Sequence, residues 1–313
     1  MIGINDVRTA ADRIRGKVRL TPVIGAGQLM TPLSTDADVV LKLELLQVTG
    51  SFKARGATNK LAASDPGALA RGIVAASGGN HGLATARAGR VAGVKTDIYL
   101  PSNVAPAKLA KLKQWGAETH VVGSDWHESN EAALAHVART GAAYFHPFAD
   151  PYVVAGQGTV ALEILEQIDD VDVVLVAMGG GGLISGVGTV IKAIKPQVRV
   201  IGIEAAGCPV LLRSLEAGEN RALDEITTSV ATMACARSDD AIFDVVQATV
   251  DEIVLVDDDE MLNAARWLWF EMGLAADLSG AAVIAALHEN RVQIRPGEKV
   301  CAIVCGARPD ALA

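Results

Sequence analysis

The sequence predicts an α/β fold with largely parallel sheets. Short β-rich runs alternate with Ala-rich helical stretches along most of the 313 residues, and this alternation is typical of parallel strands joined by helices. Several strand runs are apolar throughout, as strands covered on both faces are. Three segments, two of them Gly-rich, each follow a predicted strand, at the end where parallel α/β sheets bind ligands.

Eight segments have the strand pattern, and nine others have the helix pattern. The predicted strands are 39–43, 73–76, 96–100, 118–122, 173–176, 200–203, 251–256 and 300–304. The predicted helices are 51–63, 81–91, 106–115, 129–139, 158–167, 185–194, 209–217, 258–271 and 280–289. A chain of this length forms one large domain or two smaller ones.

Composition excludes several classes of protein. The net charge of -8 argues against a general nucleic-acid binder, which needs a basic face, and aromatic residues make up only 4%. The first residues have scattered charges and resemble no signal peptide, and no apolar run has the length of a membrane span. Cys208, Cys235, Cys301 and Cys305 have neither zinc-ligand nor disulfide spacing. We therefore expect a cytoplasmic protein with reduced thiols and no membrane partner.

A lysine motif, TGSFKARGA, occupies residues 49–57. Lys53 follows Phe52 at the start of a predicted helix, where burial and the positive end of the helix dipole both disfavour an ammonium. A neutral lysine amine is the species that forms a Schiff base. The alternative is a solvated lysine on a helix, which composition alone favours.

A tetraglycine segment, GGGG, occupies residues 179–182 between a strand and a helix. Consecutive glycine N–H groups at a helix N-terminus can surround a phosphate. The segment matches neither a P-loop nor a good GxGxxG fingerprint. Because Glu204 ends the next strand, an NAD-binding Rossmann protein stays a remote alternative, and a tight turn is the simplest one.

Two further segments follow predicted strands. In SGGNHG, residues 77–82, backbone N–H groups together with Ser77 and Asn80 suit a carboxylate or a phenolic oxygen. An N-capped turn is the alternative explanation. Cys305 follows the last strand and, taken alone, has the features of a buried core thiol.

Taken together and in this order, these motifs resemble the fold type II pyridoxal-phosphate family, and within it the serine/threonine dehydratase and serine racemase group. The resemblance covers nearly the whole chain and includes Thr21-Pro22, Lys42–Glu44, Gln47, His146-Pro147-Phe148 and residues 156–159. It implies a tryptophan synthase β-like fold of two three-layer α/β/α domains. Residues 1–45 and 151–313 would form the large domain and residues 46–150 the small one, with the cofactor in the cleft.

The resemblance also implies a role for each motif residue. Lys53 would be the catalytic lysine that holds pyridoxal 5'-phosphate as a Schiff base. The other cofactor-binding residues would be Phe52 beside the ring, Asn80 at its phenolic oxygen, Cys305 at its pyridine nitrogen, and Gly179, Gly180, Gly181 and Gly182 at its phosphate. The substrate carboxylate would be held by Ser77, Gly78, Asn80 and His81.

The activity implied is dehydration and deamination of a small L-β-hydroxy amino acid to a 2-oxo acid and ammonia. An amino-acid racemase and a cysteine synthase-like β-replacement enzyme are the alternatives. Serine racemases resemble this chain but have serine at the position of Gly78, so we expect poor racemization. Cysteine synthases tend to have Thr-Ser-Gly-Asn where this chain has Ser-Gly-Gly-Asn-His.

Other family features are altered in this sequence. No metal is expected, because Glu204 matches the first acid of the family's cation site but Val210 stands where the second is expected. The family's usual Glu-Pro-Ser-Gly reads Asp277-Leu278-Ser279-Gly280. Arg308 is a candidate for a second substrate carboxylate, which would accommodate an acidic substrate. A homodimer is implied by the resemblance alone.

Overall fold

The computed structural model describes residues 2–33 and 36–308 and has the predicted α/β architecture with parallel sheets. The strands in chain order are β1 (Val23–Gly25), β2 (Asp38–Lys42), β3 (Ile73–Ala76), β4 (Thr96–Leu100), β5 (Glu118–Val121), β6 (Ala143–Tyr144), β7 (Val173–Ala177), β8 (Arg199–Ala205), β9 (Glu252–Val256) and β10 (Lys299–Ile303).

Helices connect most of these strands. In chain order they are α1 (Ile4–Ile14), α2 (Lys53–Ala63), α3 (Pro66–Ala70), α4 (Asn80–Ala92), α5 (Pro106–Gln114), α6 (Trp126–Thr140), α7 (Pro151–Gln167), α8 (Gly182–Ile194), α9 (Val210–Ala217), α10 (Asp240–Thr249), α11 (Asp258–Met272) and α12 (Leu278–His288). No helix within residues 2–33 and 36–308 combines the length and apolar character needed to cross a membrane.

The strands form two sheets. Six strands pair in the order β1-β2-β10-β7-β8-β9, and only β1 runs antiparallel to its neighbour. Four parallel strands pair in the order β5-β4-β3-β6. The smaller sheet lies wholly within residues 46–150, for which we predict a separate domain. The limits of that domain stay a prediction.

Helices pack against both sheets. Helix α12 packs on β7, β8, β9 and β10, and α8 packs on β7 and β8. Helices α4 and α6 both pack on β3 and β4. Strands β3 and β7 are buried along their whole length, as their apolar character predicts for strands covered on both faces. Strand β4 is also fully buried although it contains Thr96 and Asp97.

Several elements differ from the sequence expectation. The elements β1, β6, α1, α3 and α10 were not predicted, although the buried residues of α1, Val7, Ala10 and Ile14, have helical spacing. Helix α7 begins at Pro151 and not at residue 158. Its start has a recognisable signal, because Asp150 caps the helix and proline suits the first helical position.

The glycines of α7 allow close helix packing and do not break the helix. A Cβ at Gly156 would lie 2.6 Å from the Cα of Gly56 in α2, and a Cβ at Gly158 would lie 2.9 Å from the carbonyl oxygen of Gly186 in α8. These backbones therefore approach more closely than any side chain permits. Because α2 begins with Lys53, its contact with α7 positions the lysine motif.

The substitution Gly156→Ala tests this contact. The added methyl group meets backbone atoms that cannot rotate away, so we expect the free energy of unfolding to fall by about 1–3 kcal/mol. Urea denaturation measures it. Gly27→Ala is the control, because a Cβ there meets nothing within 4 Å. Equal effects of the two substitutions would contradict the packing role of Gly156.

Candidate active site

Lys53 is the first residue of α2, and its side chain is half-buried. Its Nζ donates a hydrogen bond of 2.7 Å to the carbonyl oxygen of Pro147 and lies 5.1 Å from the centroid of the Phe52 ring. Loss of hydration lowers the pKa of Lys53 to about 8. A substantial fraction of this amine is therefore neutral slightly above neutral pH, and a neutral amine is nucleophilic.

The tetraglycine segment lies between β7 and the N-terminus of α8. Within residues 2–33 and 36–308, no hydrogen-bond acceptor meets the N–H groups of residues 179–184. Residues 181–184 are nevertheless buried, and buried N–H groups are almost always paired. Together with the helix dipole, this set of N–H groups forms a site for an anion.

Neighbouring atoms exclude a side chain at every position of this segment. An added Cβ would lie 2.9 Å from the carbonyl oxygen of Thr232 at Gly179, 2.4 Å from the ring of Phe148 at Gly180, 2.6 Å from Ile242 at Gly181 and 2.9 Å from the Cβ of Phe148 at Gly182. Gly181 also has a φ of 86°, in the left-handed region that favours glycine. Packing therefore favours glycine at all four positions, and the backbone conformation favours it at Gly181 as well.

The segment of residues 77–82 joins β3 to α4. The Ser77 hydroxyl accepts from the N–H of Gly79 at 3.3 Å. In the part of the chain that is described, no acceptor meets the N–H groups of Gly78, Asn80 and His81. These groups lie at or beside the N-terminus of α4, which begins at Asn80, so they form a second place for an anionic group.

Two histidines beside this segment are neutral. The buried His81 donates from Nε2 to the carbonyl oxygen of Phe145 at 2.9 Å, and burial and the nearby charge of Lys53 lower its pKa to about 3. His146 accepts at Nδ1 from the N–H of Ala149 at 2.7 Å, and burial lowers its pKa to about 4. Neither histidine adds positive charge beside Lys53 at neutral pH.

Cys305 follows β10 and is buried. Its carbonyl oxygen accepts from the N–H of Phe52 at 3.2 Å, which joins this segment to the lysine motif. Its Sγ lies 3.8 Å from the hydroxyl of Ser279. Burial, together with the charge of Asp277, raises the pKa of the thiol, so it is protonated at neutral pH.

Residues 145–148 connect these segments. The carbonyl oxygens of Phe145 and Pro147 accept from His81 and Lys53, and Phe148 packs on the tetraglycine segment. The structure therefore brings the predicted residues of all four motifs around one region. The sequence motif that includes His146, Pro147 and Phe148 was recognised, but no role was assigned to it.

Glu204 lies at the N-terminus of α9. Its two carboxylate oxygens accept from the N–H groups of Leu211 and Leu212, each at 2.9 Å. Burial raises its pKa to about 7, although these hydrogen bonds oppose the shift. Val210, at the position of the expected second acid, is buried and offers no ligand atom. Glu204 thus acts as a helix cap.

A different group of residues has ligand-type chemistry. Asp97, Glu118 and His120 lie close enough to share a metal ion. The Nζ of Lys95, however, lies 3.3 Å from Asp97 and 2.9 Å from Glu118. This ammonium already supplies positive charge to both carboxylates, so the group is explained as a salt bridge.

Asp277 is a site residue whose contact the sequence did not reveal. It accepts a hydrogen bond of 2.9 Å at Oδ2 from the Nδ2 of Asn80. Its position before α12 predicts a helix cap, which it also is. Arg308, the candidate for a second carboxylate, is exposed, and its N–H donates to the carbonyl oxygen of Ala275 at 2.9 Å.

Comparison with known proteins identifies the family of this chain. Residues 14–306 match the model of the family described as pyridoxal-phosphate dependent enzyme. The chain is 37% identical to an L-threonine ammonia-lyase of Thermotoga maritima over 310 residues, which cover 99% of this chain and 76% of the relative.

Solved structures show the same fold. A threonine deaminase of T.th. has a TM-score of 0.89 and 33% identity, and the match covers 98% of both chains. A maize serine racemase has a TM-score of 0.90 and 30% identity, and the match covers 97% of this chain and 93% of that one.

Replacement of Lys53 by methionine tests its electrostatic environment in the cofactor-free protein. Since the folded state has the lower pKa, about 8 against 10.5, the unfolded state binds the proton more tightly. The wild-type protein therefore gains stability as pH rises from about 8 to 10.5. Below pH 8 we expect the free energy of unfolding of Lys53→Met to exceed that of the wild-type protein by up to about 3 kcal/mol.

Urea denaturation at several pH values measures this difference. The difference in free energy of unfolding between Lys53→Met and the wild-type protein should decrease as pH rises from about 8 to 10. A difference that stays constant over this range would mean that the ammonium of Lys53 is as stable in the folded protein as in the unfolded chain.

Proposed function

The chain belongs to the pyridoxal-phosphate dependent enzyme family, and we propose that it is a dehydratase. It would convert a small L-β-hydroxy amino acid, such as threonine or serine, to a 2-oxo acid and ammonia. Threonine ammonia-lyases are similar to it over nearly its whole length. The observation that carries the proposal is the amine of Lys53, with a pKa of about 8, among segments with two sets of unpaired N–H groups.

The residues present fit pyridoxal phosphate. The unpaired N–H groups of residues 179–184 match a phosphate dianion, and the hydroxyl of Ser185, which is buried without a partner, is a further donor at the same helix start. We propose that Gly179 to Gly182 hold the phosphate. Asn80 would then donate to the phenolic oxygen, Phe52 would lie beside the ring, and Cys305 would face the pyridine nitrogen.

Bound through Lys53, the cofactor would supply an electrophilic C=N carbon and a conjugated ring that spreads negative charge from the Cα of the substrate. The protein supplies the proton transfers. Once the substrate amine has taken its place at the cofactor, the released Nζ of Lys53 would be free to take a proton from Cα, and its pKa of about 8 suits this transfer near neutral pH. The low pKa values of His81 and His146 make both imidazoles weaker bases than the amine of Lys53.

Orientation of the substrate comes from the segment after β3. The unpaired N–H groups of Gly78, Asn80 and His81 would bind the substrate carboxylate, with help from the hydroxyl of Ser77. Because the substrate nitrogen would be held at the cofactor, this contact fixes the rotation about the bond from that nitrogen to Cα. The Cα proton is thereby presented to Lys53 in a constant direction, which raises the rate of its removal.

The decisive experiment records the absorption spectrum of the purified protein and the release of 2-oxo acid from L-threonine and L-serine. We expect a visible absorption band from the lysine-linked cofactor and 2-oxo acid from at least one substrate. Lys53→Ala should lose both. Arg308→Ala serves as a matched variant, because loss of activity only towards acidic β-hydroxy amino acids would assign Arg308 to a second carboxylate.

The same reactions test the alternatives. Racemization needs a second proton-exchanging group, and Gly78 has none. Chiral chromatography of recovered L-serine should therefore detect no D-isomer. A D-isomer without 2-oxo acid would replace the dehydratase by a racemase, and cysteine from O-acetylserine and sulfide would replace it by a β-replacement enzyme.

We propose further that the enzyme is a cytoplasmic homodimer. Four free thiols are consistent with a reducing compartment. Met30 and Phe270 are 91% and 79% exposed, and both adjoin Glu271, which accepts from the N–H of Met30. Such exposed apolar residues are enriched at interfaces.

Light scattering of the protein as it elutes from a size-exclusion column tests the dimer. We expect a mass twice the 32.5 kDa of one chain, and Phe270→Asp should shift the mass towards that of one chain at low concentration. A wild-type mass of a single chain at all concentrations would reject the homodimer.

A further inference from the structure

We propose that Asp277 is a positioning residue that fixes the orientation of Asn80 and, through Ser279, of Cys305 around the cofactor ring; this rests on the proposed function. The two positioned residues follow strands of different sheets: Asn80 lies after β3 and Cys305 lies after β10. Asp277 contacts both of them directly or through one hydroxyl, and it touches neither the substrate nor the cofactor in this assignment.

The carboxylate of Asp277 is buried, with an exposed fraction of 1%. Its Oδ1 accepts from the N–H of Gly280 at 2.7 Å and from the hydroxyl of Ser279 at 2.8 Å, and its Oδ2 accepts from the Nδ2 of Asn80 at 2.9 Å. All three partners donate, which suits a carboxylate and not a carboxylic acid. A buried carboxylate with this set of donors is held in one place.

The surrounding backbone leaves the carboxylate little freedom. The N–H of Asp277 donates to the carbonyl oxygen of Gly306 at 2.9 Å. A Cβ at Gly306 would lie 2.3 Å from Oδ2, and a Cβ at Gly280 would lie 2.8 Å from the carbonyl oxygen of Gly306. Glycine at these two positions therefore lets the segment after β10 and the start of α12 close around Asp277.

The hydrogen bond to Asn80 links the two sheets. Asn80 begins the helix that follows β3 of the smaller sheet, and Asp277 caps the helix that packs on the larger one. The two residues are 197 positions apart in the chain. A direct bond between their side chains therefore fixes the distance between two loops that the backbone does not connect locally.

The charge of Asp277 selects one of two orientations of the Asn80 amide. The oxygen and nitrogen of an asparagine side chain exchange places when the amide rotates by half a turn, and both orientations fill the same space. A carboxylate accepts hydrogen bonds but donates none, so only the orientation with nitrogen towards Asp277 is allowed. The second N–H of that nitrogen then points in a fixed direction and can donate to the phenolic oxygen of the cofactor.

The same carboxylate orients the group beside Cys305. Because the hydroxyl of Ser279 donates to Oδ1 of Asp277, its lone pairs are left for the thiol of Cys305, whose Sγ lies 3.8 Å away. The thiol proton of Cys305 thereby points towards the hydroxyl oxygen of Ser279. The two edges of the cofactor ring would meet residues whose hydrogen-bond directions both depend on Asp277.

The substitution Asp277→Asn separates positioning from helix capping. Asparagine caps helices as well as aspartate does, so the bond from Gly280 is retained. The Nδ2 of the new residue would meet the Nδ2 of Asn80, and the Asn80 amide would rotate to present its oxygen. We expect the absorption band of the holoenzyme to shift and the dissociation constant of the cofactor to rise about tenfold, or about 1.4 kcal/mol.

Two further variants distinguish this role from a structural one. Asp257→Asn makes the same change at the cap of α11, where Oδ1 accepts from the N–H of Glu260 at 2.7 Å, and should change neither quantity. The exchange variant, which combines Asn80→Asp with Asp277→Asn, restores a hydrogen bond in which position 277 donates and position 80 accepts. We expect neither the spectrum nor the affinity to recover, because aspartate at position 80 cannot donate to the cofactor, and recovery of both would mean that no oriented amide donor is needed there.

The outcomes separate the inference from the proposed function. An unchanged spectrum and affinity in Asp277→Asn, or recovery of both in the exchange variant, overturns the positioning role even when 2-oxo acid is released. A shifted band in Asp277→Asn supports the role even when the wild-type protein releases no 2-oxo acid. If Asp277→Asn does not fold, as judged by circular dichroism, Asp277→Ser keeps a cap too short to reach Asn80 and should give the same two changes.

Discussion

A buried network of charges holds the lysine motif against the rest of the chain. The guanidinium of Arg55, two residues after Lys53, lies 2.7 Å from Glu44 and 2.6 Å from Glu163, and Lys42 lies 2.6 Å from Glu163. Removal of one member of such a network leaves an unpaired buried charge, which typically costs about 3–5 kcal/mol. This network therefore fixes the start of α2 relative to β2 and α7, and the contacts of Lys53 in the candidate site depend on that placement.

The network also explains why two lysines of one chain have different chemistry. Burial lowers the pKa of Lys42, but the carboxylate of Glu163 opposes the shift and keeps its ammonium paired. Lys53 donates to the carbonyl oxygen of Pro147, and among the described residues no carboxylate forms an ion pair with it. A carbonyl dipole stabilises an ammonium less than a full negative charge does. The neutral amine is therefore favoured at Lys53, whereas Lys42 keeps a carboxylate partner.

The site was predictable from sequence where a single segment contains the whole signal. Lys53 and the tetraglycine segment combine a strand end, special residues and a helix start within a few positions, and parallel sheets bring such ends together. The contact between Asp277 and Asn80 could not be predicted in this way, because the segment of Asp277 by itself indicates only a helix cap and Asn80 is 197 positions distant. The glycines of residues 156–158 were misleading for a related reason. Their low helix propensity is outweighed by packing against α2 and α8, which local sequence does not reveal.

The protonated thiol of Cys305 has a consequence for the kind of chemistry the proposed site favours. A carboxylate at the pyridine nitrogen would keep that nitrogen protonated and make the ring a strong electron acceptor. Burial and the charge of Asp277 raise the pKa of Cys305, so its side chain offers no negative charge to keep that nitrogen protonated. The carboxylate of Asp277 is itself occupied by three protein donors. A ring nitrogen facing this thiol would stay unprotonated, so negative charge at Cα would be stabilised only weakly. Prompt loss of a β-hydroxyl is then favoured over reactions in which the charge must persist, which agrees with elimination.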